Sequence, residues 1–137
     1  MAGLQSLVRK VRIDCHRDQR GVLHPLEFAS LPFLPQRLFI VQAPVAGVIR
    51  GGHVHRQCQQ IFVRLAGRIA VEVAHQSETS HIVLGCTEEA LYVGPMVWSR
   101  QTYLTPGAQM LVLASEPYDA NDYLDEIAGP PFRQAEA

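Results

Sequence analysis

The sequence predicts an all-β protein in which antiparallel strands form a sandwich or a closed barrel. Short runs rich in Val, Ile, Leu and aromatic residues recur along the chain, which is the composition of strands. Glycine and proline turn signals separate these runs at short intervals. The alternation of strands with helices that is typical of a parallel α/β sheet is missing.

The predicted strands follow one another along most of the chain. They are residues 37–42, 60–65, 68–74, 81–84, 90–93 and 109–114. Within residues 68–74, isoleucine and valine occupy every second position, which is the period of a strand with one face in water. Gly67 joins two of these strands in a tight hairpin. Only residues 120–127 have helical spacing, so we expect the fold to end in a short helix or turn segment.

Length and charge limit the classes of function. A chain of 137 residues has the size of one ordinary domain, so we expect residues 1–137 to form a single domain. The 12 basic and 13 acidic residues leave a net charge of −1. This balance argues against nucleic-acid binding, which needs a clustered basic excess. No apolar run approaches the roughly 20 residues that cross a bilayer, so no membrane partner is expected.

The cysteines indicate a reducing compartment. Cys15, Cys58 and Cys86 are an odd number and show no Cys-x-x-Cys spacing, which argues against a disulfide scaffold or a zinc site built on thiolates. The N-terminus has neither the long apolar core nor the cleavage site of a signal peptide. We therefore expect a cytoplasmic protein.

A His-x-His pair at residues 53–55 is the main candidate for a functional site. In an extended segment, His53 and His55 point to the same face of a sheet. Alone, the pair could be two solvated or packed histidines, since histidine is intermediate in burial. The fuller pattern, with Arg50 before the pair and Gly67 after it, favours a site.

The order of glycine, His-x-His, amide residue and glycine resembles the first signature of the cupin superfamily. This resemblance implies an antiparallel cupin jelly-roll β-barrel. In many cupins two histidines and a glutamate hold a divalent metal, but here Gln60 stands in place of the glutamate. The stretch that corresponds to the second signature, residues 94–100, contains no histidine, and Arg100 is the residue that would face a metal. Because a divalent ion generally needs three good ligands, we expect no metal, and a metal-dependent cupin dioxygenase or isomerase is the less favoured alternative.

Four motifs narrow the resemblance. Residues 50–55, 91–98, 111–115 and 118–123 together resemble the dTDP-4-keto-6-deoxyglucose 3,4-ketoisomerases, the WxcM-like sugar-nucleotide isomerases. The similarity extends from about Arg20 to Asp125. It implies a metal-free cupin that acts on a dTDP-linked keto-sugar in deoxysugar and polysaccharide biosynthesis. It also implies a homodimer in which the N-terminal strand, residues 7–13, is added to the partner's sheet.

The resemblance makes His53 and His55 the catalytic pair, with Arg50 beside them. Moving a ketone from C4 to C3 removes the C3 proton, passes through an enediol(ate) and delivers a proton to C4. An imidazole titrates near neutral pH and can accept and return that proton. A guanidinium can stabilise the enolate oxygen or hold a pyrophosphate with two hydrogen bonds. No redox cofactor is needed, and no glycine-rich dinucleotide loop is present.

Further substrate-binding candidates come from the segments that match the relatives. Arg37 and Phe39 lie in the strand that lines the site in those proteins. Trp98 offers a ring that can stack on a thymine or a sugar. The complete set of binding candidates is Arg50, Arg37, Phe39, Gln60, Trp98 and Arg100.

Three departures from the relatives keep a second function open. Phe39 and Ile40 stand where the relatives usually have tyrosines, and Ser99 stands where they commonly have histidine. A non-catalytic cupin that binds a nucleotide sugar or another carbohydrate is therefore the alternative.

Overall fold

The structure, a computed structural model, describes residues 3–124 and consists mainly of strands. A four-residue helix, α1 (Leu4–Leu7), precedes the first strand. The strands of the described part are β1 (Val8–Arg12), β2 (His16–Asp18), β3 (Gly21–Leu23), β4 (Arg37–Gln42), β5 (Val48–His55), β6 (Gln60–Ala66), β7 (Ile69–His75), β8 (Glu78–Leu84), β9 (Glu89–Val93), β10 (Trp98–Tyr103), β11 (Gln109–Ala114) and β12 (Tyr123–Leu124).

Two five-stranded antiparallel sheets form the body of the protein, and the predicted antiparallel all-β jelly roll is confirmed. Sheet 1 has the strand order β1-β9-β6-β11-β4, and sheet 2 has the order β12-β5-β10-β7-β8. Within residues 3–124 no strand is paired across the two sheets, so they form a sandwich and do not close into a barrel. Strands β2 and β3 make a separate hairpin.

The main core lies between the two sheets. Phe62, Leu91 and Val112 reach it from sheet 1, and Val71 and Tyr103 reach it from sheet 2. Full burial of an aliphatic or phenylalanine side chain stabilises the fold by about 1.5–3 kcal/mol. This alternation of inward apolar side chains is what the period of two in the sequence predicts.

A second apolar layer covers the outer face of sheet 1. Ile61, Tyr92 and Leu113 point to this face, and the segment after β3 packs Leu26 and Phe33 against them. Sheet 1 is therefore buried on both faces along β6, which explains why residues 60–63 are all buried.

The C-terminal segment of the described chain is a turn. Ala120–Asp122 forms one turn of 3-10 helix, in which the Asp119 carboxylate accepts a hydrogen bond from the amide of Asn121. The chain then becomes extended because Tyr123 and Leu124 pair with β5 as β12. Residues 120–127 have helical spacing in the sequence, but residues 123 and 124 form an edge strand paired with β5 instead. Ile127 lies outside the described residues.

The N-terminal strand occupies an edge of sheet 1. Val8 pairs with Val93 and Arg12 pairs with Glu89, so β1 is bonded to β9 of its own chain. In the described part of the chain, no helix is both long and apolar enough to cross a membrane.

Candidate active site

A cavity of about 320 Å³ opens between the two sheets, at the end where β4, β5 and β12 meet. Its wall combines apolar side chains with imidazole, guanidinium, amide and phenol groups. The lining residues are Arg37, Phe39, Ile40, Val41, Arg50, Gly51, His53, His55, Gln60, Phe62, Ser99, Gln101, Tyr103, Met110, Val112 and Tyr123. A half-polar, concave site of this kind suits a small polar ligand.

A bulge in β5 brings Arg50 and the two histidines to one face. His53 pairs with Ser99 and Gly51 pairs with Arg100, so Gly52 is an extra residue on β5. In a regular strand, residues 50 and 53 would face opposite sides because their separation is odd. The extra residue brings Arg50 to the same side as the two histidines, so Arg50, His53 and His55 all line the cavity.

The bulge requires glycine. Gly51 and Gly52 have φ angles of +88° and +83°, which L-residues with a side chain rarely adopt. A Cβ atom on Gly51 would also lie 2.8 Å from Oε1 of Gln101 and 3.0 Å from the carbonyl oxygen of Ser99. The adjacent glycines of the sequence motif therefore serve the geometry of the site.

His55 is held by a carboxylate from the other end of the chain. Its Nδ1 lies 3.3 Å from Oδ2 of Asp122, and both side chains are largely buried. An ionised carboxylate only accepts hydrogen bonds, so the pair places a proton on Nδ1 and leaves Nε2 of neutral His55 as the basic nitrogen.

Backbone amides fix Asp122 in turn. Its Oδ1 accepts a hydrogen bond of 2.7 Å from the amide of Gln57, and its Oδ2 accepts one of 3.1 Å from the amide of Cys58. Its carbonyl oxygen accepts a third from the amide of Arg56. The loop after β5 therefore fixes the position of Asp122, and Asp122 in turn fixes the imidazole of His55.

The pKa of His55 is lowered from its ordinary value. Burial is the main cause, because it disfavours the charged imidazolium. Asp122 opposes this effect, while electrostatic repulsion from the neighbouring His53 and Arg37 adds to it. His55 is therefore a neutral imidazole near pH 7, which is the form of a proton acceptor.

Tyr123 packs against both histidines. Its ring centroid lies 4.5 Å from that of His55 and 5.2 Å from that of His53, the latter in an edge-on arrangement. Backbone pairing of β12 with β5 places Tyr123 opposite His55. Tyr118, in the same segment, is largely exposed and contacts the ring of Tyr123.

Two arginines make the cavity electropositive. Arg37 on β4 lies over the rings of Phe39, at 4.7 Å, and Tyr118, at 5.3 Å. Arg50 on β5 is exposed at the cavity wall. Gln60 is buried, and its side chain also lines the cavity. The structure thus brings together six of the eight predicted site residues.

Trp98 and Arg100 lie outside the cavity, contrary to their expected position. On β10 the cavity is lined by Ser99, Gln101 and Tyr103, so the alternate residues of the strand point to the outer face of sheet 2. Trp98 packs there with Val54 and Ala74.

Arg100 makes a different contact on that outer face. Its Nη2 lies 2.7 and 2.8 Å from the two carboxylate oxygens of Glu72. The guanidinium is thus paired with Glu72 on the opposite face of sheet 2 from the histidines. Arg100 therefore does not face a bound metal or substrate in the cavity.

The sequence reasoning missed four groups of the site: Asp122, Gln101, Tyr103 and Tyr123. Asp122 belongs to the motif at residues 118–123, which was the one available signal. The hydroxyl of Tyr103 is buried at the cavity and finds no hydrogen-bond partner among residues 3–124. Burial raises the pKa of Tyr103 to about 12, so the phenol stays protonated and is a potential donor.

One group of possible metal ligands borders the cavity. Ligand atoms of His55, Cys58 and Asp122 lie within 4.8 Å of one another. Both oxygens of Asp122 already accept backbone hydrogen bonds, and burial raises the pKa of the Cys58 thiol, which keeps it protonated. This donor set is therefore better suited to orienting His55 than to holding an ion.

Comparisons with known proteins agree with the geometry. A curated relative, TDP-4-oxo-6-deoxy-alpha-D-glucose-3,4-oxoisomerase of Aneurinibacillus thermoaerophilus, is 32% identical over 108 residues, which are 78% of each chain. A mutant of the 3,4-ketoisomerase QdtA from Thermoanaerobacterium thermosaccharolyticum, solved with TDP-4-keto-6-deoxyglucose, has a TM-score of 0.85 and 29% identity. That match covers 97% of this chain and 95% of QdtA.

A second solved structure extends the likeness. The WlaRB TDP-quinovose 3,4-ketoisomerase from Campylobacter jejuni has a TM-score of 0.82 and 28% identity, over 87% of this chain and 92% of WlaRB. The family model described as "FdtA: WxcM-like, C-terminal" matches residues 7–130. With most of its length matched by this model, the chain belongs to the FdtA, WxcM-like C-terminal family.

Proposed function

We propose that the protein is an isomerase that moves the keto group of a TDP-linked 4-keto-6-deoxy sugar from C4 to C3. The observation that carries the proposal is a largely buried His55 oriented by Asp122, beside His53 and Arg50 in one cavity. The proposal is supported by the activities named for the similar proteins, which are TDP-sugar 3,4-ketoisomerases or oxoisomerases.

The reaction needs proton carriers and no change in the redox state of the sugar as a whole. Removal of the C3 proton forms an enediol(ate) across C3 and C4 while the C4 carbonyl oxygen takes up a proton or remains an oxyanion. Delivery of a proton to C4 and loss of the proton on the C3 oxygen then give the 3-keto isomer. His53 and His55 supply these proton-transfer steps, because an imidazole both accepts and donates near neutral pH.

The basic groups have two tasks. Arg37 and Arg50 are suited to the pyrophosphate, because a guanidinium forms two parallel hydrogen bonds with phosphate oxygens. A guanidinium near the sugar also stabilises the negative charge that develops on the enediolate oxygen. Phe39 and Gln60 complete the binding wall.

Deuterium exchange tests the proposal. The full chain is incubated with TDP-4-keto-6-deoxyglucose in D2O, and NMR follows deuterium at C3 and the formation of the 3-keto isomer. We expect both with the unaltered protein and with the control His81→Asn, which changes an exposed histidine of β8. Absence of exchange and of product from the unaltered protein contradicts the proposal.

Single histidine variants assign the steps. A variant that exchanges no deuterium at C3 has lost the group that removes the C3 proton. A variant that exchanges at C3 but makes no product has lost the group that serves C4. We expect His53→Asn and His55→Asn to fall into these two classes.

The second candidate is a non-catalytic protein that binds a nucleotide sugar. Phe39 favours it, because a phenyl ring in the cavity wall has no hydroxyl to relay a proton. Tight binding of TDP by calorimetry, without isotope exchange in the experiment above, selects this candidate.

We further propose a cytoplasmic, single-domain homodimer that exchanges β1. As an edge strand, β1 is bonded to one neighbour only, and the same register with β9 can form with a second copy. Light scattering tests the dimer, and a monomer at micromolar concentration contradicts it. A disulfide engineered between positions 10 and 91, which are paired in the register, crosslinks two chains only if the strand is exchanged.

A further inference from the structure

A second cluster of ligand-type side chains lies away from the cavity, at the base of the β2–β3 hairpin. Cys15 directly precedes β2 and His24 directly follows β3, so the pairing of His16 with Leu23 brings positions 15 and 24 together. Glu88 directly precedes β9, and its carbonyl oxygen accepts a hydrogen bond from the amide of Ile13. The ligand atoms of Cys15, His24 and Glu88 all lie within 4.8 Å of one another.

The imidazole of His24 is oriented as in a metal ligand. Its Nδ1 lies 3.2 Å from the carbonyl oxygen of Asp14, and because a carbonyl only accepts, Nδ1 carries the proton. In this tautomer Nε2 is the nitrogen that offers a lone pair. Metal-binding histidines usually have this arrangement, with the second nitrogen donating to a carbonyl or carboxylate.

The lone pair of His24 faces the carboxylate of Glu88. Nε2 lies 4.0 Å from Oε1 of Glu88, a distance too long for a hydrogen bond. The other oxygen, Oε2, is taken by Arg17, whose Nη2 lies 3.3 Å away. Oε1 is thus the oxygen that faces His24. Arg17 opposes a cation here, but its side chain is 64% exposed, so solvent screens that opposition.

We propose that Cys15, His24 and Glu88 bind one Zn²⁺ ion. A thiolate, an imidazole and a carboxylate form a donor set that Zn²⁺ favours, whereas Mg²⁺ and Ca²⁺ prefer oxygen alone. Bond lengths of about 2.0–2.3 Å place the donors of a tetrahedral site about 3.5 Å apart, so modest closure of the cluster is sufficient. The ion enters from solvent, since His24 and Glu88 side chains are 25% and 24% exposed, and water completes the fourth position.

Bound zinc would fasten the N-terminal hairpin to sheet 1. Cys15 and His24 belong to the two sides of the hairpin, and Glu88 belongs to the start of β9. A ligand that binds only the folded state raises the stability of that state. Cysteine spacing alone does not reveal this site, because the fold gathers its three ligands from three separate segments.

Cobalt binding to the full, reduced, metal-stripped chain tests the proposal. Co²⁺ replaces Zn²⁺ and shows a thiolate-to-metal charge-transfer band in the near ultraviolet when a cysteine coordinates it. We expect this band to saturate at one ion per chain and to disappear on addition of Zn²⁺. Cys15→Ser should abolish the band and weaken Zn²⁺ binding at least about tenfold. The matched controls Cys58→Ser and Cys86→Ser should retain both the band and the affinity.

Other outcomes overturn the proposal. Loss of the band in Cys58→Ser, with retention in Cys15→Ser, assigns the ion to the cluster at His55. Absence of a thiolate band in the unaltered protein, or equal loss in all three cysteine variants, also contradicts a site at Cys15. Should Cys15→Ser fail to fold by circular dichroism, His24→Gln and Glu88→Gln decide, and unchanged Zn²⁺ affinity in both rejects the site. These readouts do not depend on enzymatic activity.

Discussion

Asp122 and His55 are 67 residues apart in the sequence, and Oδ2 of the first lies 3.3 Å from Nδ1 of the second. Two backbone amides hold the carboxylate, so its position is set by the loop after β5 and not by the histidine alone. Asp122 is therefore a positioning residue: it fixes the tautomer and the ring plane of His55.

Asp122→Asn should lower kcat about 10- to 100-fold, because the amide no longer fixes the tautomer of His55 and no longer stabilises its charged form. The lost carboxylate also weakens the hydrogen bonds from the amides of Gln57 and Cys58, which should lower the free energy of unfolding by about 1–3 kcal/mol. Steady-state kinetics and urea unfolding measure the two effects. The control Asp119→Asn changes an exposed carboxylate that accepts a hydrogen bond from the amide of Asn121, and it should leave kcat unaltered.

The depressed pKa of His55 predicts a pH dependence with a definite sign. Well above pH 6.5, the ordinary value, the residue is neutral in both the folded and the unfolded chain. As the pH falls from 6.5 towards the lower pKa of the folded state, the unfolded chain binds the proton first, so stability decreases through this window. Urea unfolding at several pH values should show a shallower decrease in His55→Asn than in the unaltered protein.

The charge of Arg37 allows a second test of the lowered pKa of His55. Arg37 lowers the pKa of His55 by charge repulsion, so Arg37→Gln should raise that pKa. NMR titration of the imidazole reads the change directly. A pKa of His55 that stays constant in this variant contradicts the electrostatic description of the cavity.

The sequence predicts the sheet and the histidine pair well because both follow from local periodicity. A His-x-His separation of two places both rings on one side of any strand, and the structure has both at the cavity. Arg50 lies on the same side as the two histidines because of the bulge at Gly52, and the bulge is set by the pairing of β5 with β10. The glycine pair signals an unusual backbone, but the direction in which Arg50 points is available only from the register.

Asp122, Trp98 and Arg100 show where local pattern fails. The partner of Asp122 is distant in sequence, so no period relates it to His55. On β10 the inward and outward residues are both mixtures of aromatic and polar types, and composition does not tell one face from the other. Trp98 and Arg100 therefore lie on the face of β10 opposite to the cavity, which the sequence pattern does not predict.

The positions of the two arginines predict opposite effects on binding and stability. Arg50→Gln should raise KM for the TDP-sugar about 10- to 100-fold, because a charge-assisted contact contributes about 1.5–3 kcal/mol. Arg100→Gln should leave KM within about twofold, since its guanidinium pairs with Glu72 on the outer face. It should instead lower the free energy of unfolding by about 1–3 kcal/mol, because Glu72 is left partly buried without its partner. A large KM effect in Arg100→Gln would contradict the observed direction of the strand.

The bulge should tolerate no side chain at Gly51. Gly51→Ala combines the cost of a positive φ with a contact of 2.8 Å to Gln101, and should lower the free energy of unfolding by more than about 1–3 kcal/mol. Gly47→Ala is the matched control: its φ is +91°, and nothing lies within 4 Å of its Cβ position. Urea denaturation of the two variants separates backbone strain from the contact, and equal losses would show that the contact with Gln101 has no effect.

Removal of the hydroxyl group of Tyr103 should stabilise the protein. Its hydroxyl is buried without a hydrogen-bond partner among the described residues, and burial of an unsatisfied hydroxyl costs about 1–3 kcal/mol. Tyr103→Phe should therefore raise the free energy of unfolding by about 1 kcal/mol in the absence of ligand. Tyr92→Phe is the matched control, because the hydroxyl of Tyr92 donates a hydrogen bond of 2.8 Å to Oε1 of Gln59, and this variant should be destabilised. If the phenol of Tyr103 donates to bound substrate, the same variant also raises KM, so thermal unfolding and kinetics together show whether the cavity keeps this hydroxyl for its ligand.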